Sequence, residues 1–435
     1  MSSPLTFRRI FRFWLPLAGT WLMMAVEGPL LAAIIARMSA AELNLAAYGV
    51  AYAFALVAEA PIIMLMSAAT ALVSGQRSYR QLRRFTAILC VLVTALMVLL
   101  LVPPVFDLIM FRLVGLSAEV GSRVYLALLV LLPWPGVIGL RRFYQGVLIR
   151  NRQTDRVALA TVARVGFMAL SALLLYCYPA VQGALLGGVA LSCGVIAELV
   201  ATRLLASGAV TRFLTTEDTE AGMDMRGLSR YYLPLAMTPF ITLGVHPLVT
   251  FFLGQGRQPL ESLAVMPVIG ALVFVFRAIG LSFQEAGIAL VGENTANWKT
   301  VGWFATTLAG VMTVLLVVIA YTPLAEFWFV RVSGLTQGLA EFSIWPLRLM
   351  AFLPAMTVMS DYLRALLMGA QVTRPISTAT VVEAALIVAV LTALLYDASL
   401  PGAVCAAIAY LVGRMAAILW MLLPVRQVVR KNFAQ

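Results

Sequence analysis

The chain of 435 residues has few charges, almost no lysine and one histidine. Only 11% of its residues are charged, against about 25% in an ordinary soluble domain, while 62% are hydrophobic and the mean hydropathy is +0.96. A soluble domain of that make-up could not cover its surface with polar groups, so that class is excluded. Lysine is confined to Lys299 and Lys431, so arginine carries most of the net charge of +12. These arginines cluster in short segments between apolar runs. Such placement answers to membrane topology rather than to a nucleic-acid partner.

Other absences narrow the chemistry. Cys90, Cys177, Cys193 and Cys405 lie singly inside apolar runs, with no C-x-x-C, so neither a disulfide framework nor a zinc site is indicated. There is no Walker A loop, no G-x-G-x-x-G and no H-E-x-x-H. A Ser-His-Asp triad would have to use His246, the only histidine, without a supporting motif. No metal, cofactor or catalytic residue is therefore expected, and an enzyme embedded in the membrane is set aside. No N-x-S/T sequon occurs. The first apolar segment is too long, and at Glu27 too polar, for a cleaved signal peptide.

What is present is apolar length. Twelve runs reach the span of about 20 residues that a bilayer needs. Six, from about Ile10 to Leu205, precede a polar, mixed-charge stretch at Ser207–Gly227, and six follow it, from about Leu228 to Pro424. The expected fold class is an all-α polytopic membrane protein. Its domains would be a six-helix bundle over 1–206, a cytoplasmic linker over 207–227 and a second six-helix bundle over 228–435. Arg8, Arg9 and Arg12, then Arg77, Arg80, Arg83 and Arg84, then Arg150, Arg152 and Arg156, mark alternate loops as positive. Positive loops stay inside, which puts both termini in the cytoplasm.

The chain also repeats itself. RFWLPLAGT at Arg12–Thr20 aligns with RYYLPLAMT at Arg230–Thr238, an offset of 218 residues. That offset carries Pro29 onto Pro247; shifted by one residue, it carries Arg112, Gly115, Pro135, Thr154 and Thr161 onto Arg331, Gly334, Pro354, Thr373 and Thr380. Each repeat has an even number of spans, so the halves share one orientation. Two parallel-repeat bundles with a site between them is transporter architecture.

Intramembrane charges are the site candidates, because a charge at the bilayer centre costs about 2.5–3.5 kcal/mol on insertion scales. Glu59 falls mid-span, two residues before Pro61, and maps onto Arg277. Arg142 maps onto Asp361, Arg164 onto Glu383, and Gly28 onto His246. Three positions thus carry opposite signs in the two halves, and the symmetry would let Glu59 and Arg277 approach across a cleft. The competing structural reading is that these charges pair inside the bundles and set helix packing. Asp361 and Arg364, three apart, suit a local ion pair. Glu198, Glu285, Arg141 and Arg203 lie toward span ends and are expected to snorkel.

AYGVAYAF (Ala47–Phe54), WPLRLMAFLP (Trp345–Pro354) and RALLMGAQVTRP (Arg364–Pro375) resemble the progressive ankylosis protein family. That family looks like a branch of the multidrug, oligosaccharidyl-lipid and polysaccharide exporter superfamily. The resemblance implies a V-shaped pair of six-helix bundles, alternating access, and export of pyrophosphate, nucleoside triphosphates or citrate. It also implies Arg348 as an anion contact. Compact loops suggest a bacterial member in the inner membrane.

The functional expectation is a secondary transporter exporting small polyvalent anions through a central cavity. Arg277, Arg348, His246 and Arg142 would bind substrate, and Glu59 and Glu27 would couple or gate. The partners would be the anionic substrate, membrane lipids and a coupling proton or sodium ion, with no nucleic acid, and the protein a monomer. The alternative is a cation-coupled exporter of cationic drugs, or a flippase for a lipid-linked saccharide, in which the carboxylates bind the cargo or its coupling ion.

Overall fold

The structure, a computed structural model, describes residues 5–178, 180–218, 223–293, 297–396 and 400–433; a few side chains within those ranges, His246 among them, lie outside the described residues. Among the described residues, twelve helical stretches are long and apolar enough to cross a membrane, as the hydropathy pattern requires. Several are broken. The second runs as a helix over Ala41–Glu59, tightens to a single 3₁₀ turn over Ala60–Ile62, and resumes over Leu65–Leu72. Pro61 is the cause, since its ring denies a donor to the preceding turn. The fourth span breaks before Trp134–Arg150 and the tenth before Leu353–Gly369, each at a proline-bearing start.

The repeat is written into the backbone. Three pairs of residues with positive φ recur at offsets of 218 or 219: Ala40 (50°) and Gln258 (53°), Gly115 (76°) and Gly334 (73°), Arg152 (61°) and Gln371 (60°). Wide π-type turns occur at Leu108–Leu113 and again at Phe327–Val332. Each closes on a five-residue hydrogen bond, Val114 to Ile109 and Ser333 to Trp328, both 2.9 Å. Such turns are rare enough that a matched pair reports common construction.

Packing repeats as well, sometimes with the partners exchanged. A Cβ on Gly194 would lie 3.0 Å from the Arg164 carbonyl oxygen, and one on Gly413 would lie 2.9 Å from the Glu383 carbonyl oxygen. These glycines let the fifth and sixth spans, and the eleventh and twelfth, approach backbone to backbone. Gly146 sits against Ala69 in the first half; in the second, Ala365 sits against Gly287. The contact is kept and its small and smaller members have changed places.

By packing, the chain forms two compact units, Gly19–Ala236 and Met1–Ala18 with Met237–Gln435. The boundaries of these units fall within the first and seventh helices, Phe7–Ile35 and Met225–Leu253. Aromatic side chains hold these helix starts. Trp14 donates from Nε1 to Ser282 Oγ at 2.8 Å and stacks edge-on with Phe304 at 5.8 Å. In the other unit, the Tyr232 hydroxyl donates to the Pro61 carbonyl at 2.7 Å. That bond satisfies an acceptor next to the break in the second span, where an exposed carbonyl in lipid would be costly.

Part of the polar stretch at 207–227 is ordered into structure. Ser207–Thr215 is a helix with Ala209, Val210 and Phe213 buried. Asp218 then accepts from the backbone N–H of Arg77 at 2.7 Å and of Ser78 at 3.1 Å, and from the hydroxyls of Ser74 and Ser78. It caps the third span, Gln76–Leu101, whose orphan donors and helix dipole both favour an anion there.

Candidate functional site

In the unit Gly19–Ala236 the intramembrane charges form one buried network. Glu198 is its hub. The carboxylate is fully buried and accepts from Arg141, from Arg164 Nη1 at 3.2 Å, from Gln145 Nε2 at 3.0 Å and from Thr161 Oγ1 at 2.9 Å. Arg164 also donates from Nη2 to Glu27 Oε2 at 2.6 Å, and its guanidinium lies 5.6 Å from the Trp134 ring centre. Arg142 Nη2 reaches Glu59 Oε1 at 3.5 Å. Three arginines thus meet three glutamates. This corrects the expectation that Glu198 and Arg141 snorkel toward water: they are 0% and 2% exposed. Four donors on one carboxylate compensate its desolvation, which a lone buried charge could not achieve. No motif marks Glu198 in the sequence; only the spacing of Arg141 and Gln145, one helical turn apart, hints at a shared acceptor.

The other unit holds a second network. Arg414 Nη2 pairs with Glu383 Oε1 at 2.9 Å. Arg364 pairs with Asp361 at 3.8 Å, the local pair that their spacing suggested. Arg277 donates from Nε to Thr357 Oγ1 at 3.1 Å, and it has no ion-pair partner among the described residues. Asp361, Glu383 and Arg414 are its electrostatic neighbours.

At three corresponding positions the two networks carry opposite signs. Glu59 and Arg142 of one unit correspond to Arg277 and Asp361 of the other. Arg164, which bonds a carboxylate on the sixth span, corresponds to Glu383, which bonds an arginine on the twelfth. A charge pair keeps its attraction when both signs are exchanged, which accounts for Arg164 and Glu383, each paired inside its own unit. Arg277 and Asp361 are not paired with each other: Arg277 bonds Thr357, and Asp361 pairs with Arg364. Within their own units, Glu59 is engaged by Arg142 and Arg277 by Thr357. A carboxylate buried from water needs a cation within a few ångströms, which Arg142 supplies to Glu59.

A cavity of about 450 Å³ opens beside Arg277. Among the described residues Arg277 is the one charged member of its wall, with Tyr410 and Thr250 as further polar groups; Leu263, Met266, Phe274 and Met350 are among the apolar ones. Arg348 does not line it. The Arg348 guanidinium lies 4.4 Å from the Tyr321 ring centre and 5.4 Å from that of Trp345, and Nε points to the Ala320 carbonyl. Of the four expected anion contacts, then, Arg277 faces a cavity, Arg142 is neutralised by Glu59, Arg348 is stacked between aromatic rings, and the His246 side chain lies outside the described residues. Glu27 and Glu59 are both buried. Oε1 of Glu27 has no hydrogen-bond partner among the described residues, nor has the Tyr48 hydroxyl nearby. No group of three metal-ligating side chains occurs among the described residues.

No family model and no curated protein matches the sequence. Solved structures do match the fold. An outward-facing multidrug resistance MATE family transporter of the MOP superfamily aligns with a TM-score of 0.76 at 16% identity, covering 96% of both chains. A MOP superfamily transporter from Pyrococcus furiosus, whose binding pocket is described as of reversed polarity, aligns at 0.74 with 16% identity and the same coverage. A Vibrio cholerae MATE transporter aligns at 0.75 with 16% identity over 98% of both chains. The structural neighbours thus agree with the broader superfamily part of the sequence resemblance, and the narrower progressive ankylosis family gains no support. At such low identity the shared property is the fold, that of twelve-helix MATE transporters.

Proposed function

We propose that this chain is a secondary transporter that exports amphipathic organic compounds by alternating access. The observation that carries the reading is the fold shared over 96% of both chains with a multidrug resistance transporter. The internal repeat supports it, since paired bundles of like orientation are the usual frame for alternating access.

Small polyvalent anions fit less well. Pyrophosphate or citrate carries its charge in a compact, strongly hydrated body and needs several cations at one place. The arginines that could have supplied them are engaged: Arg142 with Glu59, Arg348 with Tyr321 and Trp345. The apolar wall beside Arg277 suits a larger organic cargo. Of the alternative reading, a cation-coupled exporter of cationic drugs, the drug-sized cargo and the cation coupling are thereby favoured, while Arg277 in the cavity wall does not suit a cationic cargo. Glu27 is the proposed acceptor of the coupling proton or sodium ion, because one of its oxygens is buried and unpartnered. Glu59, held at 3.5 Å by Arg142, is the proposed gate. The protein would act as a monomer in the bacterial inner membrane with both termini cytoplasmic, as the arginine loops indicate.

Purified protein in liposomes tests this. A fluorescent amphipathic dye should cross when a proton or sodium gradient is imposed. Gradient-independent leakage alone would overturn the reading. Movement of pyrophosphate, ATP or citrate in place of the dye would restore the small-anion class.

A further inference from the structure

Resting on the transporter reading, the cavity beside Arg277 specifies its cargo further. We propose that this cavity binds an amphipathic monoanion: one carboxylate, sulfonate or phosphate ester joined to an elongated apolar body.

Three observations combine. The first is shape. Along the eighth span the wall runs from Leu263 to Arg277, which at about 1.5 Å per residue is roughly 21 Å. A volume of about 450 Å³ holds a drug-sized molecule. The second is the distribution of polarity. Arg277 stands at one end; Leu253, Leu263 and Met266 stand toward the other. A site that is charged at one end and apolar along its length recognises a molecule built the same way.

The third is charge balance. In the network of the other unit, Arg141, Arg142 and Arg164 meet Glu27, Glu59 and Glu198, three against three. Here Arg364 is matched by Asp361 and Arg414 by Glu383. Arg277 is left with a neutral hydroxyl, Thr357 Oγ1, on Nε. A guanidinium has five donors in a planar fork. With Nε on Thr357, the paired Nη groups form the fork that suits a bidentate anionic group, and one anion would neutralise the excess. A second anionic charge would have no partner among the described groups of the wall. A cation would meet Arg277 at close range.

Binding in detergent, with no gradient, tests this separately from transport. The probe is dansyl-undecanoate. Its controls are the same dansyl chain ending in trimethylammonium and the methyl ester. The carboxylate should bind about 10- to 100-fold more tightly than the ester, the range expected for a charge-assisted hydrogen bond. Arg277→Gln should reduce it to the affinity of the ester, and Arg277→Lys should keep most of the preference. Arg277→Met, which adds apolar surface, guards against loss by misfolding: it should still bind the ester. Native mass spectrometry of the purified protein distinguishes the source of the ligand. An acidic lipid retained by the wild type and lost from Arg277→Gln supports the proposal with a lipid as occupant. Equal affinity for the trimethylammonium probe, unchanged carboxylate binding in Arg277→Gln, or displacement of the probe by pyrophosphate at equal concentration would each overturn it. Failure of gradient-driven transport with the binding preference intact would count against the transporter reading alone.

Discussion

Arg142 Nη2 stands 3.5 Å from Glu59 Oε1, and the repeat sets Arg277 and Asp361 at the corresponding places with their signs exchanged. The corresponding charges of the other unit are not joined in the same way: Arg277 bonds Thr357, and Asp361 pairs with Arg364. Glu59 and Arg142 form an ion pair that has no copy at the equivalent positions.

That relationship makes an exchange experiment possible. Glu59→Arg and Arg142→Asp should each destabilise the protein by about 3–5 kcal/mol, because each leaves a buried charge without its partner. The double variant, which restores an ion pair with its signs exchanged, should recover at least half of that loss. Thermal unfolding in detergent, read as a double-mutant cycle, measures the coupling. Simple addition of the two losses would mean that the charges act separately.

Glu27 offers a test of coupling. Its Oε2 bonds Arg164 and its Oε1 is buried without a partner among the described residues. Glu27→Gln should stop accumulation of dye against its gradient while equilibrative counterflow persists at a rate within about tenfold of wild type, since the neutral form mimics a protonated carboxyl. Accumulation that survives in Glu27→Gln would remove Glu27 from the coupling path.

Asp218 makes a prediction about pH at the membrane surface. Partial burial pushes its carboxyl pKa upward, but the hydrogen bonds from Ser78, from the backbone of Arg77 and Ser78 and from Ser74 outweigh it, and the net shift is downward from 3.8. A lowered native pKa means stability that is present above the unfolded value and lost as pH falls through the folded one. Asp218→Ala should therefore cost about 1 kcal/mol at neutral pH, the usual value of a helix cap. The gap between variant and wild type should begin to close as pH drops below 3.8. A gap that stays constant to still lower pH would assign the effect to something other than the ionised cap.

Arg348 should behave as a structural residue. Arg348→Ala removes cation–π contacts with Tyr321 and Trp345 and should lower stability by about 0.5–2 kcal/mol. Binding of the amphipathic probe should change less than twofold. A large loss of binding with unchanged melting would return Arg348 to the substrate site.

Much of this architecture was legible in one dimension. Leu45–Ser74 announces a membrane helix by its length and a break by Pro61, and the structure interrupts the helix at Glu59. The repeat needed only aligned spacing, and the backbone returns it in detail at Arg152 and Gln371 or Gly115 and Gly334. The partners of the charges were not legible. Glu59 and Arg142 are 83 residues apart, and Glu27 and Arg164 are 137 apart. Glu198 reads in one dimension as a residue near a span end, facing solvent, because its four partners come from two other helices. Arg348 carried a motif-based expectation, yet its aromatic neighbours come from two different spans.

By itself, then, the sequence determined that the chain lies in a membrane, crosses it twelve times and is built twice over. Those properties follow from local hydropathy and from periodic spacing, which each residue contributes without reference to distant ones. The tertiary structure decided which charges close into pairs within each bundle, and that among the described expected anion contacts Arg277 faces a cavity without an ion-pair partner. Low dielectric makes the energy of each buried charge depend on a neighbour a few ångströms away, and only folding brings that neighbour there.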